Sequence, residues 1–199
     1  MKQMHKSYGI SEIFHQIIPS LKHGTDGLIF TPVNYPYISG TCNELLKWKP
    51  AELNTVDFQL DVAVDEEGQS RLVILIGIKG DLSFYDYFTA TEEFNEKLGE
   101  DDPVGKIVEC NYDKDLAVSV FMKTLPDSDG EWVDRKGGWK FNRFRTDKST
   151  PNDISTVTKI LDSISDNVTQ KDLEDRLPSI RRNWKSRESQ PIKRMKKEH

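Results

Sequence analysis

The stretch that decides the fold is TVDFQLDVAV, residues 55–64. Val56, Phe58, Leu60, Val62 and Val64 alternate with Asp57, Gln59, Asp61 and Ala63, the period of two expected of a strand with one buried face. Reading outward, DEEGQS (65–70) forms a turn and RLVILIGIKG (71–80) a second, more apolar strand, in which Gly77 would permit a barrel bend. DLSFYDYFTA (81–90) reads as a third strand, and the acidic residues 91–104 as a loop with a helical turn, ending at Pro103. GKIVECNYD (105–113) and AVSVFMKTL (117–125) read as further strands, PDSDGEW (126–132) as a turn with an Asp-Gly signal, and WKFNRFRTD (139–147) as the last strand. Five or more short strands followed by helices predict an α+β chain built on a small closed or partly closed antiparallel barrel, of the OB type by strand number and size.

The flanks differ in character. GISEIFHQIIPSLK (9–22) predicts a helix capped by Ser11, with Ile13, Phe14, Ile17, Ile18 and Leu21 at helical spacing and Pro19 kinking or ending it. Two short strands follow, Leu28 to Val33 and ELLKWKP (44–50), separated by the loop YPYISGTCN (35–43). Beyond the barrel, NDISTVTKILDSIS (152–165) predicts a helix starting at Asn152, with Ile154, Val157, Ile160, Leu161 and Ile164 on one face. TQKDLEDRLPSIRRNWKSRES (169–189) opens with Thr169 and Asp172 three apart, a capping-box analogue, and Pro178 predicts a break near Leu177 and a short second piece.

Composition narrows the class. Hydrophobic residues make up 36% and charged residues 31%, polar for a globular chain, yet aromatics reach 10% and apolar clusters recur, unlike a disordered chain. No run approaches 18 apolar residues, so no membrane span is expected, and the opening MKQMHKSYGI lacks the apolar core of a signal peptide. Two cysteines, Cys42 and Cys110, without C-x-x-C spacing predict a reduced, intracellular protein, and the four histidines add no zinc pattern. The formal charge is −5, but residues 181–199 hold eight Lys/Arg against two Glu. That basic end reads either as a solubilising tail or localisation signal, or as a contact for nucleic-acid phosphates.

Three groups of residues carry chemistry. In WKFNRFRTDKSTPND (139–153), strand alternation would put Trp139, Phe141, Arg143, Arg145 and Asp147 on one parity, with the two arginines as neighbours. Their planar donor forks suit phosphate oxygens, Lys148 adds a point charge, and Asp147 is placed to hold one of the arginines. Lys47 and Lys49, two apart in LLKWKP (45–50), would share a face while Trp48 packs on the other, and two ammonium groups aimed at one place need an anion between them. Asp26, in TDGLIF (25–30), offers a carboxylate that can take a hard divalent cation. Each group alone also reads blandly, as a solvated barrel rim, a lysine-protected strand edge and an ordinary Asp-Gly turn.

Their order, D-G-apolar-apolar, then K-x-K about twenty residues on, then R-x-D-K about a hundred later, resembles the later motifs of the covalent nucleotidyltransferases, which include nucleic-acid ligases and mRNA capping enzymes. Residues 6–41, LLKWKPAELNTVDFQL (45–60) and WKFNRFRTDKSTPND resemble the cellular, fungal-like mRNA guanylyltransferases, and the likeness covers most of residues 2–188. It implies the end of an ATP-grasp-like nucleotidyltransferase domain over 1–54, an OB-fold barrel with carboxyl-terminal helices over 55–188 and a basic tail over 189–199. It implies transfer of GMP from GTP to the 5′-diphosphate end of RNA through a lysyl-GMP intermediate, with Mg²⁺ or Mn²⁺. By the same resemblance Asp26 is metal-linked, and Lys47, Trp48 and Lys49 attend the α-phosphate. Arg143, Arg145, Asp147 and Lys148 orient the β- and γ-phosphates as the barrel closes. A nuclear location, the phosphorylated tail of RNA polymerase II and an RNA triphosphatase belong to the same expectation.

One departure is large. The nucleophile of that family lies in K-x-D-G, and the residues two before Asp26 and Asp129 are Gly24 and Asp127. The chain is therefore expected to begin late in the first domain, as a fragment, an incomplete gene model or a truncated paralogue, and not to form lysyl-GMP alone. The alternative is a non-catalytic OB module that binds RNA or a phosphorylated polymerase tail.

Overall fold

The computed structural model describes residues 3–40, 42–65, 68–122 and 130–189. In chain order the helices are α1 (Ile10–Glu12), α2 (Ile18–Ser20), α3 (Glu92–Leu98), α4 (Ile154–Asp166), α5 (Gln170–Asp175) and α6 (Leu177–Glu188). The strands are β1 (Leu28–Phe30), β2 (Leu46–Trp48), β3 (Thr55–Val64), β4 (Ser70–Ile78), β5 (Asp81–Tyr87), β6 (Ile107–Met122) and β7 (Glu131–Phe144). They fall into two units, residues 51–166 and the described residues up to Pro50 together with those from Asn167.

Residues 51–166 are mostly sheet. Alternation in β3 sends Val56, Phe58 and Leu60 inward, all with no exposed surface, and releases Val64 to 67% exposure at the strand end. β3 lies at the centre of a five-stranded antiparallel sheet in the order β5-β4-β3-β6-β7, with Leu60 opposite Ile74 and Phe58 opposite Val108. The core face adds Ile74, Ile76, Val108, Cys110, Trp139 and Phe141, and it is covered by Phe88, Phe94 and Val157. Burial pushes the Cys110 thiol well above its ordinary pKa, which makes it an inert core residue.

The expected barrel is not closed. Among the described residues no backbone ladder joins β5 to β7. Right-handed twist still curls the sheet far enough for side chains to bridge those strands. Asp86 accepts from Arg135 at 2.5 Å, and the Tyr87 and Trp132 rings meet edge to face at 5.0 Å.

Several local expectations change. The two strands expected at 105–113 and 117–125 are one, β6, with an irregularity between Asp113 and Ala117. The loop expected over 91–104 contains α3, whose first turn is capped by Thr91 accepting from the Phe94 N–H at 3.2 Å. Phe94 is fully buried and meets Phe88 and Phe141 edge to face, each at 5.2 Å. A threonine followed by two glutamates was the start signal for this helix. Helix α4 packs Ile154, Val157, Ile160 and Leu161 against the core as its spacing predicts. Its start differs: Asp153 accepts from the Ser155 N–H at 2.9 Å, while the Asn152 side chain is engaged elsewhere. Most of the turn expected over 126–132 lies outside the described residues, as does the basic tail after Ser189.

In the other unit, helical backbone runs from Ser7 to Ser20. The turn Ile13–Ile17 is widened, with the Ile18 N–H bonding the Ile13 carbonyl. Pro19 explains the widening, because its ring crowds the carbonyl four residues back in a regular α-helix. Ser11 does not cap this helix but donates to Glu174 at 3.0 Å. Strands β1 and β2 pair antiparallel, Leu28 opposite Trp48. The capping box of α5 forms in both directions between Thr169 and Asp172. Pro178 sits in the first turn of α6, where a missing N–H costs nothing, so the second piece is the longer one, not the shorter. Helices α5 and α6 group with the amino-terminal residues, through Tyr8 against Trp184 and Lys6 on Glu188.

Candidate functional site

The first cluster is built on a glycine. Gly27 has φ +146°, and a Cβ there would lie 2.0 Å from the Trp48 carbonyl oxygen. Only glycine lets the start of β1 press this closely on the end of β2. That approach sets the Asp26 carboxylate between two ammonium groups, Lys49 Nζ at 2.7 Å and Lys47 Nζ at 3.2 Å, both on Oδ2. The expected convergence of the two lysines is present, and the anion between them is Asp26. Hydrogen bonds from Lys49 first, then Lys47, hold the Asp26 pKa at about 2. Trp48 is committed to the opposite side of the strand. Its ring meets Phe14 edge to face at 5.5 Å, and its Nε1–H donates to the Val168 carbonyl at 2.8 Å.

The second cluster depends on a β-bulge. Glu109 pairs with Arg143 but Cys110 pairs with Phe141, so Asn142 is an extra residue on β7. One extra residue reverses the facing of everything beyond it. Trp139 and Phe141 are buried at 3% each, and Phe144 packs on the core as well. Arg143 and Arg145 are thereby turned to the opposite side. The expectation that all five residues from Trp139 to Asp147 share one parity is thus wrong. The arginines are neighbours, but not on the face of the tryptophan.

Arg145 joins two carboxylates. Its Nε and Nη2 donate to Asp147 at 2.8 and 2.7 Å, and its Nη1 reaches both oxygens of Asp57 at 3.0 and 2.9 Å. Asp147 therefore holds Arg145, as its spacing suggested, and the pairing keeps the Asp147 carboxyl far below, and the Arg145 guanidinium far above, their ordinary ranges. Lys148 donates to Asp57 at 2.5 Å, and Arg143 to Glu109 at 2.6 Å. Three cations thus meet three carboxylates.

Asp57 escaped the sequence reading. It occupies an outward position of β3 yet is only 6% exposed, because the segment after β7 folds over it. Asn152 fastens that segment. Its side-chain oxygen accepts from the Asp57 N–H at 2.8 Å, and its own N–H donates to the Asp57 carbonyl at 2.7 Å. Its carbonyl accepts from Gly77 at 3.0 Å, so Gly77 marks where this strap docks on β4. The only hint in the sequence was arithmetic. Three cations within 143–148 have one acid, Asp147, beside them, and the chain must supply others.

The described residues contain no group of three His, Cys, Asp or Glu that could cage a metal. Asp26 is a lone carboxylate whose Oδ2 already accepts Lys47 and Lys49, so a hard cation there would have to take most of its ligands from phosphates and water. No helix of the described residues is long and apolar enough to cross a membrane.

Comparison with known proteins places the whole chain in a family. Residues 1–51 match the family described as mRNA capping enzyme, catalytic domain, and residues 53–174 match mRNA capping enzyme, C-terminal domain. The chain is 34% identical to the mRNA-capping enzyme subunit alpha of Schizosaccharomyces pombe, over 98% of its own length and 46% of that protein. It is 33% identical to the subunit alpha of Saccharomyces cerevisiae over 94% of its length and 46% of that protein. It is 31% identical to the mRNA-capping enzyme of Mus musculus over 76% of its length and 21% of that protein. The chain spans about half the length of the fungal relatives it matches. With two consecutive family matches and fungal relatives above 30% identity along nearly the whole chain, the chain belongs to the mRNA capping enzyme family.

Proposed function

We propose that this chain is the carboxyl portion of an mRNA guanylyltransferase, which moves GMP from GTP to the 5′-diphosphate end of RNA. The observation that carries this reading is the focusing of Lys47 and Lys49 on one oxygen of Asp26. A point that attracts two ammonium groups is a point where an α-phosphate oxygen is stabilised. In the proposed reaction a lysine amine attacks the α-phosphorus of GTP, a P–N bond forms and pyrophosphate leaves. A terminal phosphate oxygen of RNA then attacks that phosphorus, and the P–N bond breaks. The attacking lysine belongs to a K-x-D-G segment that this chain does not contain.

Lys47 and Lys49 contact the α-phosphate, and Trp48, anchored on Phe14, fixes the strand that aims them. Asp26 would supply one carboxylate oxygen to a divalent cation, which would offset phosphate charge. Arg143, Arg145 and Lys148 serve the β- and γ-phosphates, with Asp147 orienting Arg145. Because their charges are balanced by carboxylates, incoming phosphates must compete with Asp57, Asp147 and Glu109. Arg143, with a 58% exposed side chain, is the cation most available. Five antiparallel strands curled until β5 and β7 meet through side chains support an OB-type barrel for residues 51–166, and the residues up to Pro50 are read as the end of an ATP-grasp-like domain. A nuclear location, an RNA triphosphatase and the phosphorylated polymerase tail as partners follow from the same reading.

The test joins the amino-terminal half of the Schizosaccharomyces pombe subunit alpha to this chain. With labelled GTP and Mg²⁺ the chimera should acquire a label that survives denaturation. Arg145→Ala or Lys148→Ala should slow labelling by about 10- to 100-fold, the loss of one charge-assisted contact. Transfer from preformed adduct to RNA should change much less. Equal loss in both steps would leave those residues a folding role only, and an unlabelled chimera would defeat the reading.

A further inference from the structure

Helix α6 carries Arg181, Arg182, Lys185 and Arg187 against the single acid Glu188. Several basic side chains of this unit have partners. Lys6 bonds Glu188 at 2.6 Å, His15 bonds Glu174 at 2.8 Å, Lys171 bonds Asp175 at 2.6 Å, and Arg187 lies 5.7 Å from the Trp184 ring. Arg181, Arg182 and Lys185 have no carboxylate partner among the described residues. Spacings of three and four put them on one side of the helix, where like charges repel. Together with Tyr8, Leu177 and Pro178 they line an open groove of about 550 Å³. Tyr8 is held at its wall by Trp184, with ring centroids 6.3 Å apart.

We infer that this groove binds a single strand of RNA, with phosphates on Arg181, Arg182 and Lys185 and a base against Tyr8. Unpaired cations beside an aromatic wall are the makeup of a single-strand nucleic-acid site. The chain continues past α6 with four Lys/Arg against one Glu in residues 190–199, and that continuing charge favours an extended polyanion over a single phosphate. The groove has no role in the proposed nucleotidyl transfer. The choice of RNA rests on the reading of the chain as part of an enzyme whose acceptor is RNA.

The test measures fluorescence anisotropy of a labelled, unstructured RNA of about 12 nucleotides with the 199-residue chain across a salt series. Reversing the three charges together (R181E, R182E and K185E) should weaken binding at least 10-fold. It should also flatten the dependence of log K on log salt by about 2, three phosphate contacts at about 0.7 each. Tyr8→Ala should weaken binding about 5-fold or more with the salt slope kept. The charged side chains are exposed, and circular dichroism checks that the reversed variant stays folded. Equal binding by the parent and the reversed variant overturns the inference. So does tighter binding of a multiply phosphorylated peptide than of RNA. The chimera separates this inference from the enzymatic reading. Charge reversal on α6 should leave its labelling by GTP unchanged, whereas an unlabelled parent chimera defeats the reading and leaves α6-dependent RNA binding standing.

Discussion

Asp57 and Arg145, 88 residues apart in the chain, meet through both oxygens of one carboxylate, and the carboxylate is 8% exposed. Lys148 shares the same acid. The residues proposed to meet phosphate are therefore also structural, and their positions depend on a group that none of the motif spacings names.

Removing that acid should cost stability. Breaking one side of a buried ion pair typically costs about 3–5 kcal/mol. Arg145 keeps Asp147, and Lys148 is partly exposed, so Asp57→Ala should sit near the lower end, about 3 kcal/mol. Urea unfolding of residues 51–166 should show a midpoint lowered by about 1–2 M. Asn152→Ala, which loses one buried hydrogen bond but no charge, should cost about 1–2 kcal/mol. A loss under about 0.5 kcal/mol for Asp57→Ala would mean that the pair contributes nothing net.

The bulge at Asn142 should tolerate substitution but not deletion. Asn142→Ala leaves the extra residue in place. Deleting it turns Arg143 and Arg145 toward the Trp139 and Phe141 face, where two charges would lie in an apolar core. The deletion should abolish cooperative unfolding and near-ultraviolet dichroism. Native-like dichroism in the deletion variant would show that the strand end re-registers at little cost.

The lysine cluster has a pH signature. The folded pKa of Asp26 is depressed, so its contribution is present above the ordinary carboxylate value of about 3.9 and is lost as pH falls through about 2. Carboxyl resonances followed by NMR should place its midpoint near 2. Lys49→Met should return it toward about 3.9, and by more than Lys47→Met does. An ordinary midpoint in the parent would mean that the two ammonium groups do not hold the carboxylate in solution.

The two-unit division predicts that residues 51–166 fold alone, without α5 and α6. That fragment should give one cooperative urea transition and dispersed amide resonances. If dispersion appears only when residues 167–189 are included, the helices belong with the sheet after all.

Much of this was legible in the residues. Alternation in 55–64 names the core positions of β3, the spacing of Ile154, Val157, Ile160 and Leu161 names the buried face of α4, and Thr169 with Asp172 names the cap of α5. Each is a local signal, carried by neighbours within a turn or a pleat. Asp147 as the partner of Arg145 was legible for the same reason, two positions away. Helix α3 was legible too, but its acidic first turn resembles a loop until the cap and the buried Phe94 are considered together.

By itself the sequence determined the strand and helix periods, the shared face of Lys47 and Lys49 and the resemblance to the capping enzyme family. The tertiary structure alone decided which way Arg143 and Arg145 face, which acid holds Arg145 and Lys148, and where α5 and α6 pack. The physical reason is range. A bulge is one residue with no compositional mark, yet it reverses a face. A buried carboxylate finds its cations only after β3, β6 and β7 have set their register.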